Sequence, residues 1–210
     1  MKRPDAEELQ RFERELAAGG CRIIAGVDEA GRGPLAGPVV ACCAVFDAER
    51  PYPDAYDSKQ LSEKAREKLY DEIMAAAISV GIGFADSERI DEINILEATK
   101  EAMLAAVKEA SVKLGRSPDA VLVDHVSVPG LPAGTVQRSV THGDALSVSI
   151  AAASVIAKVT RDRLMTDLDA KYPGYGFAKH KGYGTKAHYD AIRELGASPI
   201  HRRSFLKKMH

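Results

Sequence analysis

The chain contains no tryptophan, which excludes little, but other absences exclude more. There are three cysteines, Cys21, Cys42 and Cys43, none in C-x-x-C spacing. An odd number, with two adjacent in an apolar run, argues for buried reduced thiols rather than a zinc site. No glycine-rich loop ends in Gly-Lys-Ser/Thr, and there is no internal repeat or low-complexity segment. The longest apolar stretch, Leu35 to Phe46, is broken by Gly37 and Pro38 and is too short to span a bilayer. The first twenty residues are charged throughout and lack the apolar region of a signal peptide. The expectation is a cytoplasmic protein with no membrane association.

What is present suits one domain of 210 residues: 45% hydrophobic and 28% charged. The formal net charge of -1 hides an asymmetry. Residues 171–210 carry six Lys and three Arg against Asp190 and Glu194, a net +7, which leaves -8 on residues 1–170. A basic C-terminal fifth on an acidic body suits a polyanion on one face, and equally suits a solvated basic tail.

Hydrophobic patterning predicts the element order. Residues 1–20 read as a charged amphipathic helix ended by Gly19-Gly20. Apolar runs at 23–27 and 38–46 flank a Gly/Pro turn and predict a β-hairpin. Helical spacing follows over 62–77, 95–114, 146–168 and 187–195, with strands at 79–86, 120–123 and 137–140. Residues 172–184, rich in Gly, Tyr and Lys, cannot form one regular element. A hairpin followed by alternating strands and helices predicts an α/β fold, a mixed sheet with helices packed on it.

Acids sit at the ends of two apolar runs. Asp28-Glu29 follow 23–27, Asp124 follows 120–123, and Asp144 precedes a helix. Carboxylates at buried strand ends are costly and raise one another's pKa unless a cation lies between them. Oxygen-only ligands favour Mg2+ or Mn2+ over zinc, and two such ions can clamp a phosphodiester. Locally, Asp144 reads equally well as a helix N-cap and Asp124 as a strand-end turn residue. Asp28-Glu29 is harder to dismiss. Successive strand residues point to opposite faces, so two useful carboxylates require the chain to turn directly after them.

Gly31-Arg32-Gly33 supplies such a turn, and Arg32 is a candidate phosphate ligand. Read as a dinucleotide fingerprint, Gly31, Gly33 and Gly37 are mis-spaced and lead into a strand, which argues against a nucleotide-binding metabolic enzyme.

The run VDEAGRGPLAGPV from Val27 to Val39 resembles the signature of the type 2 ribonuclease H family, ribonuclease HII. Further matches keep family order: Asp57 to Ser62, Val123-Asp124, Gly143-Asp144, Ala151 to Asp162, Tyr175 to Phe177, His180 to Thr185 and Ser198 to Arg202. The related HIII type usually has Gly-Thr-Gly where this chain has Gly31-Arg32-Gly33. One departure is His125, where the family usually has glycine. The resemblance covers residues 22–206 and divides the chain into an N-terminal helical extension, 1–20, and a ribonuclease H type 2 domain, 21–210.

That resemblance implies a ribonuclease H-like fold, a mixed five-stranded sheet flanked by helices with a helical C-terminal portion. It implies Asp28, Glu29, Asp124 and Asp144 as catalytic, metal-binding carboxylates. They would hold Mn2+ or Mg2+, two ions with substrate bound. The implied reaction is hydrolysis of RNA in RNA–DNA hybrids and nicking 5′ of ribonucleotides embedded in duplex DNA, leaving 3′-hydroxyl and 5′-phosphate ends. The implied substrate-binding residues are Gly31, Arg32 and Gly33 with Tyr183 at the 2′-hydroxyl, and Lys59 and Arg161 on phosphates. Lys179, Lys181, Arg202, Arg203, Lys207 and Lys208 would track the duplex backbone. A monomer is expected. The competing expectation is a non-catalytic hybrid-binding module, for which four acids beside a polyanion have no use.

Overall fold

A computed structural model describes residues 5–56 and 62–207. Its strands are β1 (Ile23–Ala30), β2 (Val39–Asp47), β3 (Ser79–Ala85), β4 (Ala120–Asp124) and β5 (Val136–Val140). The helices are α1 (Ala6–Leu9), α2 (Arg11–Ala18), α3 (Glu63–Ala76), α4 (Ser87–Ile93), α5 (Ile95–Leu114), α6 (Gly143–Leu146), α7 (Val148–Lys171), α8 (Phe177–His180), α9 (Lys186–Leu195) and α10 (Arg203–Leu206). One five-stranded sheet runs in the order β3-β2-β1-β4-β5. The first three strands form an antiparallel meander, and β4 and β5 lie parallel to β1. This is the mixed sheet that the element order predicts.

Small residues set how closely the helices lie. On α5, Ala98, Ala102, Ala106 and Ala110 recur every fourth residue and so share one face. That face meets Gly81 and Gly83 of β3 so closely that a Cβ on Gly83 would sit 1.9 Å from the Ala102 carbonyl oxygen. The other side of the sheet receives α7 the same way: a Cβ on Gly26 would fall 2.0 Å from the Ser149 carbonyl carbon. Between the two helices every residue of β2 is buried, Cys42 and Cys43 included, and both thiols are free.

Several boundaries differ from the sequence expectation. The strand expected to end at Val27 continues to Ala30, because β2 goes on pairing with it through Ala30↔Val40. The N-terminal helix is two pieces, α1 and α2, and α2 packs Phe12 against Ile24, Leu122, Val140 and Ile150. The helix expected from 146 is interrupted at Ser147, whose extended backbone separates α6 from α7. No helix among the described residues is long and apolar enough to cross a membrane.

Candidate active site

The pairing of β1 with β4 ends at Val27↔Val123, while both chains run on. Asp28 and Asp124 therefore follow one another's register at the C-terminal end of two parallel neighbours. Residues in register on parallel strands share a face. Here that face is the α7 side, where Ile24, Leu122 and Ile150 cluster. Glu29, one residue on, belongs to the opposite face. The strand runs on through Glu29 to Ala30, and the chain turns at the glycines that follow, where the sequence places the turn. The turn comes after Ala30, at Gly31 with φ +97°. Glu29 meets the site past the point where β4 has left β1.

Asp144 enters from α6. The N-cap of α6 is His142 and that of α7 is Ser147, so the capping role open to Asp144 in the sequence is not the one it has. It lies in the first turn of α6, and its side chain is buried. A second link ties α6 to β4: the Gly143 N–H donates to Asp124 Oδ1 at 2.7 Å. A Cβ at Gly143 would stand 3.2 Å from that oxygen and 2.5 Å from Ile150 Cδ1, so glycine keeps the contact short.

The electrostatics are those of crowded anions. Burial pushes the Asp28 carboxyl well above its ordinary range, and the charges of Glu29 and Asp124 push the same way. The Ser154 hydroxyl of α7 and the Glu29 N–H, 2.7 Å from Asp28 Oδ1, oppose that shift. Glu29 is likewise raised, by burial and by Asp124, against the pull of Arg32, whose Nη1 lies 3.6 Å from Glu29 Oε1. Ser154 falls in a motif of the sequence reading, but a serine in an alanine-rich helix gives no local sign of touching a carboxylate.

Hard oxygen donors, buried and mutually repelling, suit a divalent cation chemically. Among the described residues, however, no three acidic, histidine or cysteine side chains converge as a ready cage for one ion. The internal bonds explain this: Asp124 faces Gly143 and Glu29 leans toward Arg32.

Beside the acids lies the loop from Gly31 to Pro38, and two arginines correct the sequence expectation there. Arg161 and Arg202 were expected on nucleic-acid phosphates. Both are interior, at 1% and 0% exposure. Arg202 donates to the carbonyls of Gly31 (2.6 Å), Arg32 (2.9 Å), Pro34 (2.8 Å) and Gly37 (3.0 and 2.8 Å). Arg161 donates to Ala36, Pro38 and Lys181. A Cβ on Gly31 would meet Arg161 Nε at 2.0 Å. Burial, with Arg161 nearby, lowers the Arg202 pKa to about 9. The two guanidinium groups thus organise the loop from within.

This has a consequence for the loop's outer side. In a planar trans peptide the N–H points opposite to the C=O. With the Gly31 and Arg32 carbonyls turned inward onto Arg202, the N–H groups of Arg32 and Gly33 point the other way. Gly33 is exposed there, and a Cβ on it would come 3.7 Å from the ring of Tyr183. Tyr183 itself is 45% exposed. The loops are stitched together by Leu35 N–H to Gly182 O (2.8 Å) and by Gly37 N–H to Ile200 O (2.8 Å).

Three histidines support Tyr183 from below, a role the sequence did not suggest. His188 Nδ1 lies 2.9 Å from the Tyr183 carbonyl, and His188 Nε2 lies 3.0 Å from His201 Nε2. The Ser198 N–H donates to His201 Nδ1 at 2.9 Å. Only one assignment of protons satisfies all three bonds with neutral rings: Ser198 to His201, His201 to His188, His188 to the Tyr183 carbonyl. His180 stacks on His188 with ring centroids 4.3 Å apart. Burial lowers the pKa of His201 to about 4 and lowers that of His188.

Of the remaining expected contacts, Lys59 lies outside the described residues, as does Lys208. Lys179, Arg203 and Lys207 are exposed, and Lys181 bonds Thr166 Oγ1 at 2.9 Å. His125 is exposed with φ +59°, a left-handed backbone that accounts for the family's usual glycine at that position.

Known proteins resemble the chain over most of its length. Residues 25–208 match the family model described as Ribonuclease HII. A ribonuclease HII of Lachnoclostridium phytofermentans is 55% identical over 197 residues, covering 94% of this chain and 75% of that one. A second, of Geobacillus kaustophilus, is 54% identical over 200 residues, 95% of this chain and 74% of that one. Among solved structures, the ribonuclease H2 of Pyrococcus horikoshii OT3 superposes with a TM-score of 0.70 at 30% identity, over 87% of this chain and 93% of that one. A match of this length and identity leaves one assignment: the chain belongs to the ribonuclease HII family and is an endoribonuclease, a hydrolase of phosphodiester bonds.

Proposed function

We propose that the chain hydrolyses the RNA strand of RNA–DNA hybrids and nicks 5′ of ribonucleotides embedded in duplex DNA, leaving 3′-hydroxyl and 5′-phosphate ends. The observation that carries this reading is the group of Asp28, Glu29 and Asp124 at the open end of β1 and β4, with Asp144 on the adjoining α6. These acids would hold Mg2+ or Mn2+, two ions with substrate bound. The ions would supply an activated water and charge stabilisation at the scissile phosphate. Ser154 orients Asp28, and Gly143 orients Asp124.

Discrimination of ribose belongs to the neighbouring loop. The outward N–H groups of Arg32 and Gly33 are donors suited to a 2′-hydroxyl or a phosphate oxygen, and Arg32 adds a cation within reach of either. Tyr183, beside Gly33, offers a flat face that packs on a deoxyribose and crowds a ribose. Lys59 is proposed on the substrate phosphates, with Lys179, Arg203 and Lys207 along the duplex. Such contacts make affinity fall steeply with salt. The enzyme would act as a monomer in the cytoplasm.

The test is a duplex DNA carrying one ribonucleotide, incubated with the purified chain and Mn2+ or Mg2+. One nick on the 5′ side of the ribonucleotide, with an all-DNA duplex left whole, is expected. An intact substrate under both metals would overturn the reading.

A further inference from the structure

The family model begins at residue 25, after α2, although the relatives aligned over 95% of the chain take α2 in. This helix sends a carboxylate into the interior. Glu13 is 1% exposed, and its Oε1 accepts from Ser147 Oγ (2.5 Å), Ser149 Oγ (2.7 Å) and the Ser149 N–H (3.1 Å). Among the described residues its Oε2 has no hydrogen-bond partner. Every hydrogen bond of this carboxylate therefore goes to one place, the start of α7.

Packing alone does not explain an acid there. Burying a carboxylate is costly unless its bonds compensate, and a leucine would fill a gap between helices more cheaply. What the acid adds is a fixed anchor. Ser147 is the residue that separates α6 from α7, and its hydroxyl also caps α7 through the Ile150 N–H at 3.3 Å. Asp144 stands three residues before it. On the sheet side, Gly26 presses against the backbone of Ser149. The first turn of α7 is held between Gly26 and Glu13.

The arm that carries Glu13 is itself secured. Phe12 is buried beside Ile24, Leu122, Val140 and Ile150. Arg138 of β5 lies 4.5 Å over the Phe12 ring and donates to Glu15 Oε2 at 2.6 Å.

We propose that Glu13 is a positioning residue for cleavage: it locks the α6–α7 junction so that Asp144 keeps its place next to Gly143, whose N–H holds Asp124. The proposal rests on the reading of Asp144 as a metal-binding carboxylate. The N-terminal extension is then a working part of the catalytic unit.

The experiment compares full-length Glu13→Ala, Glu13→Gln, Ser149→Ala, Asp144→Asn and the double variant Glu13→Ala/Asp144→Asn. Cleavage is measured as kcat and KM, and Mn2+ binding by calorimetry without substrate. Glu13→Ala is expected to lower kcat and Mn2+ affinity by roughly 10-fold, within the range for residues that support metal ligands, with KM for the hybrid nearly unchanged. Glu13→Gln keeps an acceptor for Ser149 and should recover most of both. Ser149→Ala, the milder change should Glu13→Ala not fold, should move both in the same direction. In the Asp144→Asn background, Glu13→Ala should add no further loss, because the two residues act in series. A lower Tm in Glu13→Ala with kcat and Mn2+ affinity intact, or losses that multiply in the double variant, overturns the role of Glu13 alone. A fully active Asp144→Asn with normal Mn2+ affinity overturns the metal reading of Asp144 and the proposal with it.

Discussion

The two faces of the sheet are packed by the same device and do different work. On the α5 face, Gly81 and Gly83 lie against an alanine ridge, and the buried polar groups there, Ser79 and Thr99, are uncharged and bonded to helix carbonyls. On the α7 face, Gly26 lies just as close to a helix backbone, but Asp28, Ser154, Asp124 and Asp144 follow within the same layer. Close packing makes both faces rigid. Three of the four acids belong to this second face, and Glu29 alone projects from the first, at its open end. Most of the chemistry and most of the purely apolar packing are therefore divided by face.

The largest expected effect tests that separation on the α7 side. Asp28→Asn should lower kcat on a ribonucleotide-containing duplex by ~10²–10³-fold or more, the scale seen when a charge-stabilising group is lost. It should also raise the Tm of the metal-free protein near pH 8, because an isosteric amide removes a buried charge. The sign can be followed with pH. Asp28 has a raised pKa in the fold, so its penalty is full above that pKa and disappears as pH falls toward 3.8. The Tm advantage of Asn should shrink with it. A variant no more stable than the parent at pH 8 would mean the charges are not in conflict.

Gly83→Ala breaks the other side. The new Cβ would overlap the Ala102 carbonyl, which should cost about 1–3 kcal/mol or more. Denaturant melts should show that loss, while kcat measured well below the Tm stays within about twofold. A kcat that falls in step with stability would refute the division between faces.

The histidine chain beneath Tyr183 gives a smaller, pH-dependent effect. His201 is lowered to about 4 from an ordinary 6.5, so the unfolded chain binds a proton that the fold refuses between those values. Its stabilisation is complete above about pH 6.5 and is lost as pH falls, at up to about 1.4 kcal/mol per pH unit. Because Asp28 and Glu29 shift in the opposite sense, the quantity to measure is the difference in Tm between the chain and His201→Gln from pH 7 to 5. Parallel Tm curves would remove the histidine contribution.

The smallest effect is at the family departure. His125→Gly should relieve a left-handed backbone while adding freedom to the unfolded chain, a net change within about 1 kcal/mol. Cleavage should persist. A large loss of cleavage would show that the imidazole does more than occupy the turn.

Much of this was legible before the structure. Periodicity located the helix at 95–114 to the residue, and the Gly/Pro turn located the hairpin. The three acids at strand ends and Asp144 beside a helix start were visible as an electrostatic problem in want of a cation. The surroundings of those acids were not visible. Asp28 and Glu29 lie on opposite faces, as a strand demands. What lets them share a site is that β4 leaves β1 at Val123, and no local pattern records where a neighbouring strand departs.

Arg161 and Arg202 show the same limit most clearly. In the chain they are two more cations in a basic C-terminal segment or on a charged helix, with nothing nearby to distinguish them from phosphate ligands. The carbonyls that bury Arg202 lie 165 to 171 residues away. Glu13 meets its serines across 134 and 136 residues. Patterning follows from forces each residue feels from its near neighbours, so most elements and the family were legible in the chain alone. Whether a charge faces water or the interior depends on partners supplied by distant segments. The arginine clasp, the Tyr183 support and the Glu13 anchor were decided only when the chain closed on itself.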